Sequence, residues 1–292
     1  MKRTNAGWWF AAPALIVLAV FFFVPVFAAF VMSLTDFDLY ALTDLDNLRF
    51  TGFKNYADLL SEPLFWKSLG NTFYFVLLGV PLSLGMSLGA ALLVNSKVAR
   101  FSSFFRTVYF APVVTTLVAV AVVWRYILHT RYGLLNYTLS WFGIDAIDWQ
   151  GDPHWAMPSI VLLAVWKNFG YNMIILLAAL QGISEDLYEA ARIDGASGWQ
   201  LFRHVTLPGL APVLTLVSIL TITGYFQLFA EPYVMTEGGP LQSTLSVLYF
   251  MYEEGFKWWS LGRASAVAFL LFVLMFAITI LQLRLSRSEA QE

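Results

Sequence analysis

Residues 166–173, W-K-N-F-G-Y-N-M, set a lysine, two asparagines and a tyrosine inside a long apolar run. An ammonium near the centre of a bilayer costs about 3 kcal/mol on insertion scales, so Lys167 must face a polar cavity or a partner rather than lipid. Asn168, Tyr171 and Asn172 follow at i+1, i+4 and i+5, which groups all four on one side of a helix. All four side chains can hydrogen-bond. The cluster is therefore either a solvated path for a polar solute or an internal bridge between helices, and the spacing alone leaves both open. Catalytic constellations are missing elsewhere: the chain has no G-x-x-x-x-G-K-[ST] loop and no H-E-x-x-H, and its three histidines, His129, His154 and His204, fall outside the apolar runs. No catalytic or metal-binding residue is expected.

A second stretch, residues 184–208, is charged and rich in small residues between two apolar runs. Ser184 followed by Glu185 and Asp186 is a helix start, because a hydroxyl caps free amides and acids suit the positive end of the dipole. Gly195 ends that helix by taking the left-handed conformation. Ser197 with Gln200 three residues on has the capping-box spacing, and Pro208 is expected to stop or kink the second helix. The product is a short helix, a tight turn and another short helix, with Ala190 and Ala191 forming a low face that a groove in another protein can approach.

These elements must be positioned by a membrane scaffold. The chain is 59% hydrophobic and 17% aromatic with only 12% charged residues, and its mean hydropathy is +0.68. That is far from a soluble globular domain. Its net charge of −2 argues against nucleic acid, and the absence of cysteine removes disulfides and thiolate chemistry. Six runs of about twenty apolar residues, each long enough to cross the hydrocarbon core, lie near 8–34, 70–95, 107–128, 158–182, 210–230 and 261–284. The expected class is all-α, a polytopic membrane protein of six transmembrane helices.

The basic residues set an orientation. Lys2, Arg3, Lys97, Arg100, Arg106, Arg192, Arg203, Arg284 and Arg287 all fall on one side, while Asp36, Asp38, Asp44, Asp46, Asp145, Asp148 and Asp152 fall on the other. The positive-inside rule puts the basic side, both termini and the 184–208 loop in the cytoplasm. The first run is too long for a cleaved signal and reads as a retained anchor. The organisation that follows is an N-terminal helix and external segment over 1–66, a core of five spans over 67–284 carrying the loop at 184–209, and a tail at 285–292. In the second span, Gly85 and Gly89 are expected to serve close helix packing.

The 189–208 residues also carry a resemblance. E-A-A, three residues, Gly, nine residues, then an apolar residue and x-L-P is met by Glu189, Ala190, Ala191, Gly195, Val205, Leu207 and Pro208, with Asp194 and Ala196 beside the glycine. This resembles the EAA loop of the permease subunits of bacterial binding-protein-dependent ABC importers. Residues 53–72 and Y-V-M-T-E-G-G-P at 233–240 are similar to segments of maltose-type sugar permeases, of the first of their two permease subunits, although the large external insert of the enterobacterial maltose subunit is absent. The resemblance implies a type I importer permease in a bacterial inner membrane, partnered by a second permease, an ABC ATPase dimer and an extracytoplasmic solute-binding protein. No cofactor is then held in this chain, and ATP and Mg sit on the ATPase. It also implies a sugar as solute, with the middle of the fourth and fifth spans lining its path. On the fifth span the matching positions are Tyr225, Gln227 and Glu231 for hydrogen bonds and Phe226 for stacking, facing Lys167, Asn168, Tyr171 and Asn172 on the fourth. A polyol or glycerol-phosphate importer is the variant of this reading. A gradient-driven transporter working alone is the alternative from another class, disfavoured because no span clearly carries Asp or Glu at mid-depth.

Overall fold

The computed structural model describes residues 6–44, 46, 48–96 and 101–289. Lys2, Arg3, Lys97 and Arg100 of the charge argument lie outside the described residues, as does the side chain of Arg287. The chain folds as two compact units, Met1–Trp66 with Phe250–Leu274, and Lys67–Tyr249 with Met275–Glu292.

In the first unit, α1 (Ala6–Leu18) runs through a π-helical turn, Ala19–Phe23, into α2 (Val24–Ser33), and its apolar side chains face outward, as a bilayer rather than water allows. Short helices α3 (Leu39–Thr43) and α4 (Lys54–Ser61) follow. Asn55 ties the end of α2 to α4 by donating to the carbonyls of Ser33 and Thr35, at 2.9 and 2.7 Å. Arg263 pairs with Glu62 and, at 3.0 Å, with Glu254, so two carboxylates share one guanidinium.

The second unit holds most of α5 (Pro63–Asn95), then α6 (Ser102–Val114), α7 (Leu117–Ile127), α8 (Leu134–Ser140) and α9 (Pro153–Gln181). Helices α10 (Glu185–Ile193), α11 (Gly198–Leu201), α12 (Leu207–Phe226) and α13 (Ala230–Met235) complete it, while α14 (Val247–Tyr252) and α15 (Leu261–Glu289) are each divided between the two units. Among the described residues five helices are long and apolar enough to span a membrane, and α6 with α7, bent by 100°, passes the same test as a pair and makes a sixth if taken as one span. The third apolar run, near 107–128, is covered by this bent pair. Pro112 lacks the N–H that would continue the helical ladder, and the β-branched pair Thr115 and Thr116 takes extended backbone, with ψ of 151° and 133°.

At the centre of the unit stands α9, buried along most of its length. Its lower half packs Phe169, Met173, Leu176, Leu177 and Leu180 against Ala90, Ala91 and Val94 of α5 and Leu210 and Val217 of α12. Gly170 lets α6 come close: a Cβ there would run into the carbonyl of Tyr109. Ser87 bonds across to the Phe169 carbonyl at 2.9 Å, so the packing face of α5 is its serine face. Around Gly85 and Gly89 an added Cβ would meet nothing within 4 Å, which overturns their expected role in close packing within this chain. Pro208 does not stop the second loop helix, which runs on into the fifth span. A π-helical turn, Phe202–Thr206, joins α11 to α12, with the Leu207 N–H reaching back to the Phe202 carbonyl, and this wider turn absorbs the donor that proline lacks.

Candidate functional site

Two places in the second unit gather the residues singled out by sequence. The first is a cavity of about 560 Å³ walled by α9, the end of α12 and the start of α13. Helix α12 ends at Phe226 because Gln227 leaves helical geometry, and the chain turns over Gln227–Phe229 before α13 begins. That break places Gln227 and Glu231 on the cavity wall, opposite Asn168, Tyr171 and Asn172 of α9. Asn172 donates to the Thr221 hydroxyl at 2.9 Å, linking α9 to α12, and Asn168 donates to the Ala164 carbonyl at 2.9 Å. The Tyr225 hydroxyl is buried beside Ser83 and Asn168 without hydrogen-bond alignment to either. A buried hydroxyl in that condition carries a desolvation cost that a ligand oxygen in the cavity would remove. The Tyr225 ring stacks near Phe75, with centroids 5.0 Å apart, and closes over Gly79, whose missing side chain makes the room: a Cβ there would lie 2.7 Å from the ring.

Of the expected cavity residues, Asn168, Tyr171, Asn172, Tyr225, Gln227 and Glu231 are brought together; Lys167 and Phe226 are not among the lining residues. Phe226 is fully buried and meets Phe73 edge-on, 5.2 Å between centroids. Lys167 is buried and donates to the carbonyls of Pro112, Val113 and Thr115, at 3.1, 3.4 and 2.9 Å. Its charge also attracts Glu231 electrostatically. Sequence reasoning missed Thr221, Val113, Leu117 and Phe75, which line the cavity as well. Thr221 stands one helical turn before Tyr225, a spacing that would have found it; Val113 and Leu117 flank the break, which hydropathy conceals.

The second place is the 184–208 loop. Ser184 caps α10 through the Asp186 N–H, and at the other end Gly195, at φ +80°, donates to the Arg192 carbonyl while Ala196 donates to Ala191, at 3.0 and 2.9 Å. This pair of bonds is a Schellman closure, which only a left-handed residue at Gly195 permits. The capping box forms as well, Ser197 N–H to Gln200 Oε1 at 2.7 Å. Tyr188 meets the Thr206 hydroxyl at 3.0 Å and ties the two helices. Ala191, Asp194, Gly195 and Ala196 line a shallow 260 Å³ hollow with Gln200, His204 and Val205. Glu189 and Ala190 are exposed beside it, as are Leu207 and Pro208 at the start of α12. Ile193, 86% exposed, and Trp199, 67% exposed, offer apolar surface to a partner.

Residues 79–290 match the family described as binding-protein-dependent transport system inner membrane component. The chain is 36% identical over 288 residues to a lactose transport system permease protein of Rhizobium radiobacter, covering 97% of this chain and 94% of that one. It is 34% identical over 286 residues to a trehalose/maltose transport system permease protein of Thermococcus litoralis, covering 98% and 95%. Among solved structures it superposes on a chain of a bacterial ABC transporter involved in the import of the acidic polysaccharide alginate. The TM-score is 0.83 at 22% identity, over 98% of this chain and 96% of that one, a likeness of fold.

Proposed function

This chain belongs to the family of binding-protein-dependent transport system inner membrane components, and from that premise we propose that it is the permease subunit through which a sugar crosses a bacterial inner membrane. The observation that carries the sugar reading is the cavity: amides from Asn168, Asn172 and Gln227, the carboxylate of Glu231 and the Tyr225 hydroxyl surround a space that aromatic rings also border. Hydroxyls on a sugar ring need such donors and acceptors, and its C–H face suits an aromatic wall. The lactose and trehalose/maltose permeases named above support the same solute class.

In this reading the chain pairs with a second permease and receives solute from an extracytoplasmic binding protein. An ABC ATPase dimer supplies the energy and holds ATP and Mg. Both termini and the 184–208 loop lie in the cytoplasm, where the basic residues fall. Glu189, Ala190, Ala191, Asp194, Gly195 and Ala196, with Leu207 and Pro208 at the base of the next span, transmit movement of the ATPase to the spans. The Schellman closure makes this loop stiff enough to push. Alternating access then opens the cavity to one side at a time.

The test is Gln227→Ala in membrane vesicles containing the whole complex. Gln227 is exposed to the cavity, so its removal should leave assembly intact and lower uptake per assembled complex about tenfold, the effect of one hydrogen bond that water cannot replace. Normal uptake of every tested sugar by this variant removes the cavity from the solute path. Uptake that persists without ATP and collapses with the proton or sodium gradient would instead favour a transporter working alone.

A further inference from the structure

The broken third span and Lys167 explain one another. At the C-terminal end of any helix the last carbonyls lack intrahelical donors. At a surface, water supplies them; in hydrocarbon nothing does, and an unmet carbonyl there is costly. Helix α6 ends within an apolar stretch that is long enough to cross a membrane only when α6 and α7 are taken together. Thr115 meets one need itself, its N–H and its hydroxyl both donating to the Pro112 carbonyl, at 3.3 and 2.6 Å. Another helix adds donors: Lys167 directs its ammonium at the carbonyls of Pro112, Val113 and Thr115. Three donors of one ammonium meet three carbonyls of one break, which is the full donor capacity of a lysine.

The position of the break matters because its two flanks face the cavity. Val113 precedes it, Leu117 follows it, and both line the space that Asn172 and Gln227 also line. Helix α7 packs on α13, the helix that carries Glu231. A change in the angle between α6 and α7 therefore moves one cavity wall directly and a second through α13.

We propose that Lys167 is a positioning residue that latches the broken third span and so sets the opening of the cavity, and that it is not a ligand of the solute. Its consequence for transport rests on the cavity being the solute site; the latch itself is read without any solute. Alternating access needs a wall with two arrangements, and a joint held by three hydrogen bonds from one side chain can be released and remade as a unit.

The chain contains no cysteine, so single reporters can be introduced without background from this subunit. In vesicles holding the assembled complex, Leu117→Cys reports on the break and Asp145→Cys, at an exposed position away from the 184–208 loop, serves as control; both are labelled with a water-soluble maleimide and read on this subunit. Lys167→Met, which keeps the stem and removes the donors, should raise the labelling rate at position 117 about tenfold, the scale of one buried carbonyl left without a partner, and leave position 145 unchanged. Lys167→Arg, which keeps the donors, should bring the rate at 117 back to within about twofold of the parent. Should Lys167→Met not assemble, Lys167→Gln, shorter and unable to reach all three carbonyls, must show the same rise. An unchanged rate at 117 in the donor-deficient variant overturns the latch, as does an equal rise at both positions or failure of arginine to restore. Gln227→Ala, run for uptake in parallel, separates the two ideas: normal uptake there with the labelling pattern as expected would leave the latch standing and remove only its link to the solute.

Discussion

The 184–208 loop and the cavity wall are held by opposite kinds of bond. In the loop, Gly195 bonds Arg192, Ala196 bonds Ala191 and Ser197 bonds Gln200, all within one turn of chain and all near the surface. At the cavity, Lys167 reaches Thr115 across 52 residues and Asn172 reaches Thr221 across 49, both from buried positions. A shape closed by its own neighbours survives when it is pushed and moves as one piece. A shape closed by distant partners exists only while the helices are packed, and it changes when their packing changes. The first suits a part that receives force, the second a part that must open and shut.

Two glycines test this contrast most sharply. Gly170 sits where α9 meets the backbone of α6, so Gly170→Leu forces the two spans apart and should destabilise the folded protein by about 3 kcal/mol, the upper range for overpacking against backbone that cannot yield. Thermal unfolding of the detergent-solubilised complex measures it. At Gly195 an added Cβ meets nothing within 4 Å, so the cost of Gly195→Ala is only that of holding a side chain at positive φ, about 1 kcal/mol. An equal loss at both positions would erase the distinction between the two regions.

Gly195→Pro sharpens the comparison in function. Proline removes the N–H that meets the Arg192 carbonyl and fixes φ far from +80°, so the closure of α10 is lost while the spans are untouched. The expected result is normal membrane insertion and an unfolding temperature lowered only slightly, with uptake down by more than about tenfold and ATP hydrolysis no longer dependent on the binding protein, because the loop no longer transmits force as a rigid part. Uptake at the parent level with normal expression would show that the closure does not matter.

The same contrast decides what can be read in the sequence. Caps, capping box and the turn glycine are local signals, so the loop was legible residue by residue. Hydropathy showed the spans because a bilayer demands it of every one. The break at Thr115–Thr116 was hidden, since both threonines sit comfortably in an apolar run and only the missing helical bonds reveal it. Lys167 was legible as a residue that needs a partner but not as to which. At 3.6 residues per turn its group covers an arc of about 140°, with Lys167 at one edge and Asn172 at the other. Packing turned the lysine edge toward α6 and left the asparagine edge on the cavity, a choice that depends on Gly170 admitting α6 so closely. Phe226 was placed on the solute path by the family resemblance, and the end of α12 puts it in the core instead.

The smallest expected effect lies at the start of α9, a part of that helix fixed by its own neighbours. Asp152 is the N-cap, accepting from the His154 N–H at 2.8 Å, with the His154 ring 3.0 Å from the same oxygen. The backbone bond, aided by the ring, holds its carboxyl below the ordinary value of 3.8. A carboxyl lowered on folding binds its proton less readily in the folded chain, so its contribution to stability is fully present above pH 3.8 and is lost as pH falls through the lowered value. Asp152→Asn keeps a capping oxygen without the charge and should leave stability at neutral pH nearly unchanged while flattening this acid-side slope; Asp152→Ala should lower the unfolding temperature slightly at every pH above that window. Neither should alter labelling at position 117, because the cap acts within one turn and the latch lies several turns away. If either variant moves the reporter at the break, the ends and the middle of α9 are coupled, and the separation between locally closed and distantly closed parts of the molecule fails within a single helix.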